Sequence, residues 1–68
     1  MIISLSKHAL EQARERGISI SEIKKTIQRG AKHFQKDKIV SDYTHIRIVY
    51  KLIKKEYFII TVMIRVGR

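Results

Sequence analysis

From residue 43 onward the chain alternates between apolar and mixed positions with period two. Even positions are apolar or aromatic: Ile46, Ile48, Tyr50 and Leu52, then Phe58, Ile60, Val62, Ile64 and Val66. Odd positions are mixed: His45, Arg47, Val49 and Lys51, then Tyr57, Ile59, Thr61, Met63 and Arg65. Successive side chains of a strand point to opposite faces, so the pattern predicts two strands, Tyr43 to Ile53 and Tyr57 to Val66, each burying its even face. Partners across such a hairpin must share parity. The tightest register that satisfies this pairs Ile53 with Tyr57 across Lys54-Lys55-Glu56, and sets Val49 opposite Thr61 and His45 opposite Arg65. Residues 31–36 predict a short preceding strand, in which Lys32, His33 and Lys36 leave little apolar pattern.

Before residue 31 the spacing is helical. Ser6 is placed to cap a helix reaching Arg16, and Gly17 fits the left-handed position that stops it. Ser19 and Glu22 have the spacing of a capping box, with Ile18 and Ile23 flanking it as a hydrophobic staple. Ile20, Ile23 and Ile27 mark the apolar stripe of a second helix, with Lys24, Lys25 and Gln28 outward and Arg29-Gly30 as its end. The order expected is α-α-β-β-β. It describes an α+β domain in which two N-terminal helices pack on one face of a three-stranded antiparallel sheet.

Length adds that 68 residues make a single domain, 1–68, whose core is small, since a chain of this size buries only about 60% of its extended surface. The absence of cysteine excludes a disulfide scaffold, a thiolate zinc site and a cysteine nucleophile. MIISLSK is too brief an apolar run for a signal peptide, and no stretch approaches the ~20 apolar residues of a membrane span, so a soluble cytoplasmic protein is expected. Thirteen isoleucines, no asparagine and abundant charge fit a heat-adapted source.

Charge changes the picture more. Fifteen Lys and Arg against six acids give a net charge of +9. Residues 24–55 hold ten bases, with Asp37 and Asp42 as their only acids, whereas residues 1–23 carry three of each. Clustered positive charge points to a polyanion, foremost nucleic acid. Lys24, Lys25, Lys32, His45, Lys51, Lys54 and Lys55 are the candidate contacts. The expected register also gathers His45, Arg47, Lys51, Thr61 and Arg65 on the odd face, where like charges repel unless an anion lies between them. The scattered acids and widely spaced histidines supply no metal motif, so neither a metal nor another cofactor is expected. Cations, histidines and a threonine are the parts needed to cleave RNA without metal, because RNA brings its own 2′-hydroxyl nucleophile.

His8-Ala9-Leu10, Glu15-Arg16-Gly17-Ile18-Ser19 and the later Ile60-Thr61-Val62 resemble a family of small bacterial and archaeal domains. Its opening runs His-Ala-Leu…Glu-Arg-Gly-Ile-Ser and its last strand carries a Val/Ile-x-Thr-Val pattern. That family is similar to the BrnT and RelE-like toxins, small basic ribonucleases of toxin–antitoxin modules. The resemblance implies His8 as acid or base, with Arg16, Arg47, Arg65 and Thr61 handling phosphate. It also implies RNA as substrate and an acidic antitoxin as partner. One departure is Gln12, where the family usually has arginine, so a phosphate contact at that position would be missing.

A metal-independent endoribonuclease of toxin type, acting through 2′-hydroxyl attack, is therefore the leading expectation. The alternatives are a non-catalytic nucleic-acid-binding module and a protein-interaction domain. In the latter, exposed Val49, Ile53, Ile59 and Met63 would dock an acidic helix or a second copy in a homodimer.

Overall fold

The computed structural model describes residues 1–65, so the expectation for Val66 lies outside the described residues. Both helices form where their caps place them. In α1 (Lys7–Arg16) the Ser6 hydroxyl accepts from the Ala9 amide at 3.0 Å, and Gly17, at φ 65°, closes the helix in the left-handed region that an L side chain resists. In α2 (Ile20–Arg29) the Ser19–Glu22 capping box is complete, and Ile18 and Ile23 are both buried beside it. Among the described residues, no helix is long and apolar enough to cross a membrane.

The sheet differs from expectation. It has five strands, β1 (Ile2–Leu5), β2 (Ala31–Gln35), β3 (Lys38–Tyr43), β4 (Ile46–Ile53) and β5 (Glu56–Ile64), in spatial order β1-β5-β4-β3-β2. It is mixed, because β1 runs parallel to β5 while every other pair is antiparallel. The fold remains α+β, but the order is β-α-α-β-β-β-β and the three-stranded antiparallel sheet is corrected to five strands.

Two further corrections concern the hairpin. The β4–β5 connection has two residues, Lys54-Lys55, with Ile53 opposite Glu56. Val49 does face Thr61, and the Arg65 amide donates to the His45 carbonyl at 2.7 Å, so the expected register holds at the far end. Between these halves Ile60 is an extra residue, forming a bulge opposite Val49 and Tyr50. The bulge switches parity within β5. Val62 packs inward from the even side, but nearer the turn Tyr57 and Ile59 face the core. Ile59 is thus fully buried and unavailable as a docking residue, and Tyr57 stacks at a tilt on Tyr50, 5.8 Å between ring centroids.

Both helices cover the same sheet face, α1 over β5 and β1, α2 over β3 and β4. Ala9, Ala13, Ile23 and Ile27 meet Ile46, Ile48, Tyr50, Ile59 and Val62 there. Each fully buried isoleucine contributes about 1.5–3 kcal/mol, so this layer contact is the main source of stability. The buried Ser41 hydroxyl is satisfied by Tyr50, 3.2 Å away. Because β1 stops at Leu5, the edge of β5 beyond Ile59 is unpaired, and α1 completes it. Gln12 Oε1 accepts from the Val62 amide at 3.0 Å, and the Ser6 hydroxyl donates to the Ile60 carbonyl at 3.3 Å.

Candidate nucleic-acid interface

The second sheet face carries no helix. Across it, the register aligns His33 with Val40, Val49 and Thr61 in one row, and Ala31 with Asp42, Arg47 and Met63 in the next. The rows enclose a hollow of about 390 Å³ lined by His33, Gln35, Val40, Arg47, Val49 and Met63.

Asp42 is the centre of this face. Its side chain is only 8% exposed, yet it faces three basic groups. Arg47 binds it with two hydrogen bonds, Nε to Oδ1 at 2.7 Å and Nη2 to Oδ2 at 3.1 Å. His33 Nε2 stands 3.5 Å from Oδ2. The Arg47 hydrogen bonds hold the Asp42 carboxyl below the usual aspartate range against the opposing effect of burial, helped by the charges of Arg47, Arg65 and His33. The same pairing raises Arg47 above its ordinary value. Arg47 is therefore a paired cation. A guanidinium has five N–H donors, and three remain for another ligand.

Lys51 is paired as well, its Nζ 3.2 Å from Asp37, whose carboxyl is lowered first by that hydrogen bond. The repulsion expected among odd-face cations is thus relieved from within the fold, by Asp42 and Asp37. Thr61 lies on the face through its pairing with Val49. Arg65 sits at its end, where Nη1 donates to the Thr44 carbonyl at 3.4 Å.

His8 and Arg16 are not brought to this cluster. Both lie on α1, in the layer across the sheet, His8 exposed and Arg16 Nη1 3.8 Å from Glu15. The shared opening is legible as architecture instead: Ala9 and Ile18 are core, Gly17 and Ser19 are caps, and Val62 is core on β5. Gln12 also has a structural role, since an arginine has no acceptor to offer the Val62 amide.

Of the remaining basic candidates, Lys24 is exposed on α2, and Lys32 reaches the Gly30 carbonyl at 3.5 Å from β2. Lys54 and Lys55 form the β4–β5 turn. Lys25 and His45 lie elsewhere, around a second hollow of about 220 Å³ between α2 and the Thr44-His45 turn. Among the described residues no group of three or more His, Asp and Glu could hold a metal ion.

His33 and Asp42 were missed as site residues. Their signal was available: a two-residue loop at Lys36-Asp37 sets Val40 opposite His33 and Ala31 opposite Asp42, which makes His33 and Asp42 diagonal neighbours on one face.

No curated protein and no solved structure matches the chain. Residues 5–64, from the end of β1 to the end of β5, match a family described as a domain of unknown function, DUF4258. That match spans both helices and the strands that build the open face, and the chain belongs to the DUF4258 family.

Proposed function

We propose that the chain is a metal-independent endoribonuclease whose reacting groups lie on the helix-free sheet face. The observation that carries this reading is the convergence of His33 and Arg47 on the nearly buried Asp42, at the wall of an open hollow. A carboxylate beside one imidazole nitrogen orients the ring and leaves the other nitrogen to accept a proton.

His33 removes the proton from a ribose 2′-hydroxyl. The 2′-oxygen bonds to the adjacent phosphorus, the bond from phosphorus to the 5′-oxygen breaks, and that oxygen takes a proton from water. The products are a 2′,3′-cyclic phosphate and a 5′-hydroxyl. The free Arg47 donors stabilise charge growing on the phosphoryl oxygens, whereas Thr61, three strands along the row from His33, is too far to touch the same phosphate. The small-domain family that the His-Ala-Leu and Glu-Arg-Gly-Ile-Ser opening resembles is in turn similar to the BrnT and RelE-like toxins, which supports the same chemistry, with His33 in the role first given to His8.

Purified protein incubated with single-stranded RNA and a chelator tests this. Cleavage leaving cyclic or 3′-phosphate ends is expected. RNA that stays intact at all protein concentrations rejects the nuclease.

A specific observation favours a second reading. Among the residues lining the open hollow, His33 is the only proton-transfer group, so nothing stands opposite it to protonate the leaving oxygen, as in a face that binds without reacting. Intact RNA with a retarded band identifies that non-catalytic module.

A further inference from the structure

The hollow beside α2 gathers charge differently from the open face. Lys25 and Arg29 are one turn apart on α2 and therefore project together. Facing them across about 220 Å³ are Tyr43, Thr44 and His45 from the β3–β4 turn. Among the described residues, neither Lys25, Arg29 nor His45 makes an ion pair. The one carboxylate lining the hollow, Glu22, accepts from the Ser19 amide at 2.8 Å and the Ser19 hydroxyl at 3.2 Å. These bonds, and then the charges of His45 and Lys25, hold it below the usual glutamate range. Among the described residues it makes no ion pair, but it offsets part of the positive charge there. Arg29 also complements the negative end of the α2 dipole, which accounts for that residue but not for Lys25 and His45 opposite it.

The turn is strained at this spot. Thr44 has φ 54°, a conformation that a β-branched residue adopts at a cost. It is held by its hydroxyl donating to the Tyr43 carbonyl at 2.6 Å and by Arg65 on its own carbonyl. That Arg65 contact ties the turn to the end of the open face, where Arg65 also acts on Asp42. The turn lines only the hollow beside α2, but Arg47 on the wall of the open-face hollow lies two residues along the chain from His45.

We propose that the hollow formed by Lys25, Arg29 and His45 is a phosphate subsite that holds an RNA phosphodiester flanking the one on the open face. The strand passes over the Thr44-His45 turn between them. This rests on the reading of RNA as the ligand and is independent of whether the RNA is cut. Lys25 and Arg29 suit a bound anion, because no internal ion pair of theirs among the described residues has to be broken to admit it, and His45 adds a ring nitrogen beside them. Tyr43 also lines the hollow, and its hydroxyl is a donor suited to a phosphoryl oxygen.

The test uses a five-nucleotide single-stranded RNA carrying 2′-O-methyl groups at every position, so that binding is read without cleavage. Its affinity is followed by fluorescence anisotropy across a salt series, for the wild type and for Lys25→Ala/Arg29→Ala. Both positions are exposed and alanine is the strongest helix former, so the double variant keeps its fold, as circular dichroism verifies. Each phosphate contact on a single strand contributes roughly 0.7 to the slope of log affinity against log salt. The double variant is expected to bind at least about tenfold more weakly with a slope lower by about 0.7. In the wild type, amide and ring resonances of Thr44 and His45 shift on titration with the oligonucleotide. An unchanged slope and affinity overturns the subsite, as do shifts confined to His33 and Arg47. Inorganic phosphate is titrated in parallel. Shifts at His45 that phosphate produces and the oligonucleotide does not displace assign the hollow to a free anion and also overturn the proposal. Failure of the nuclease reading shows separately, as intact RNA in the cleavage assay.

Discussion

On the helix-free face the central cations are neutralised inside the fold, Arg47 by Asp42 and Lys51 by Asp37, whereas beside α2 Lys25 and Arg29 border a hollow and, among the described residues, make no ion pair. The two arrangements suit different work. A bidentate ion pair fixes a guanidinium in space and leaves it some donors, which serves a reaction that needs fixed geometry. Unpaired cations around a hollow gain more from an arriving phosphate. At 4 Å two unit charges interact by about 1 kcal/mol in water and about 4 kcal/mol at the lower effective dielectric of a protein surface. On the readings proposed above, catalysis and affinity fall to opposite sides of one sheet.

The largest expected effect separates them directly. His33→Ala removes the proposed base, and cleavage should fall by ~10²–10⁴-fold, the usual worth of positioned proton transfer. RNA affinity should change little, since His33 is an exposed edge residue. Rates measured with chelator present, beside anisotropy on the same RNA, check both halves. Retention of full cleavage would remove His33 from the mechanism and return attention to His8.

Gly30 lies where the regions meet, between α2 and β2, and its backbone is pressed against β3. A Cβ there would stand 2.4 Å from the Thr26 carbonyl oxygen and 2.7 Å from that of Asp42, both backbone atoms that cannot yield cheaply. Gly30→Ala should cost roughly 1–3 kcal/mol, as overpacking does, and should weaken cutting and binding together. A urea midpoint equal to the wild type would show that the α2–β3 approach is looser than described.

These contrasts explain what could be read from the sequence. The helices were legible because Ser6, Gly17, Ser19 and Glu22 announce their ends through local hydrogen bonds. The sheet was not. Four residues of β1 are too few to show a period. In β3 the two adjacent polar residues Ser41 and Asp42 are each satisfied from β4, by Tyr50 and Arg47, so burial and polarity do not alternate. All three hairpin turns begin with a positive φ on Lys36, Thr44 or Lys54, without the glycine or asparagine that usually marks such positions. The run from Tyr57 to Ile64 is apolar on both parities apart from Thr61, so nothing in it reveals the bulge at Ile60. Arg47, Thr61 and Arg65 stand out in the sequence because they interrupt an apolar alternation. His33 and Asp42 lie on strands that have none.

Asp42→Asn probes the paired side through pH. The folded carboxyl lies below its ordinary value, so its contribution to stability is complete above the unfolded value, about 3.9, and is lost as pH falls through the lower folded value. The variant should be less stable than the wild type at pH 7, with the difference shrinking toward pH 3. With one negative charge gone and Arg47 released, RNA should bind more tightly while cleavage slows, because His33 loses the carboxylate that orients it. Equal urea midpoints at pH 7 would mean that Asp42 contributes no net stability. Weaker RNA binding would contradict the view that it competes with phosphate for Arg47.

The smallest effect comes from the turn that borders the α2 hollow. Left-handed backbone costs an ordinary residue about 1–2 kcal/mol, and glycine returns part of that gain as extra freedom in the unfolded chain. Thr44→Gly and Lys54→Gly should each stabilise by about 0.5–1 kcal/mol, raising the melting temperature by a few degrees. The two turns lie at opposite ends of the sheet, so their effects on RNA should differ. Lys54→Gly loses one surface cation and leaves the α2 hollow untouched. Thr44→Gly frees the backbone that carries His45, so affinity should fall even as stability rises. If both variants gain stability and Thr44→Gly binds RNA as tightly as the wild type, the strain at Thr44 belongs to the turn alone. The α2 hollow would then not depend on the conformation that holds His45 in place.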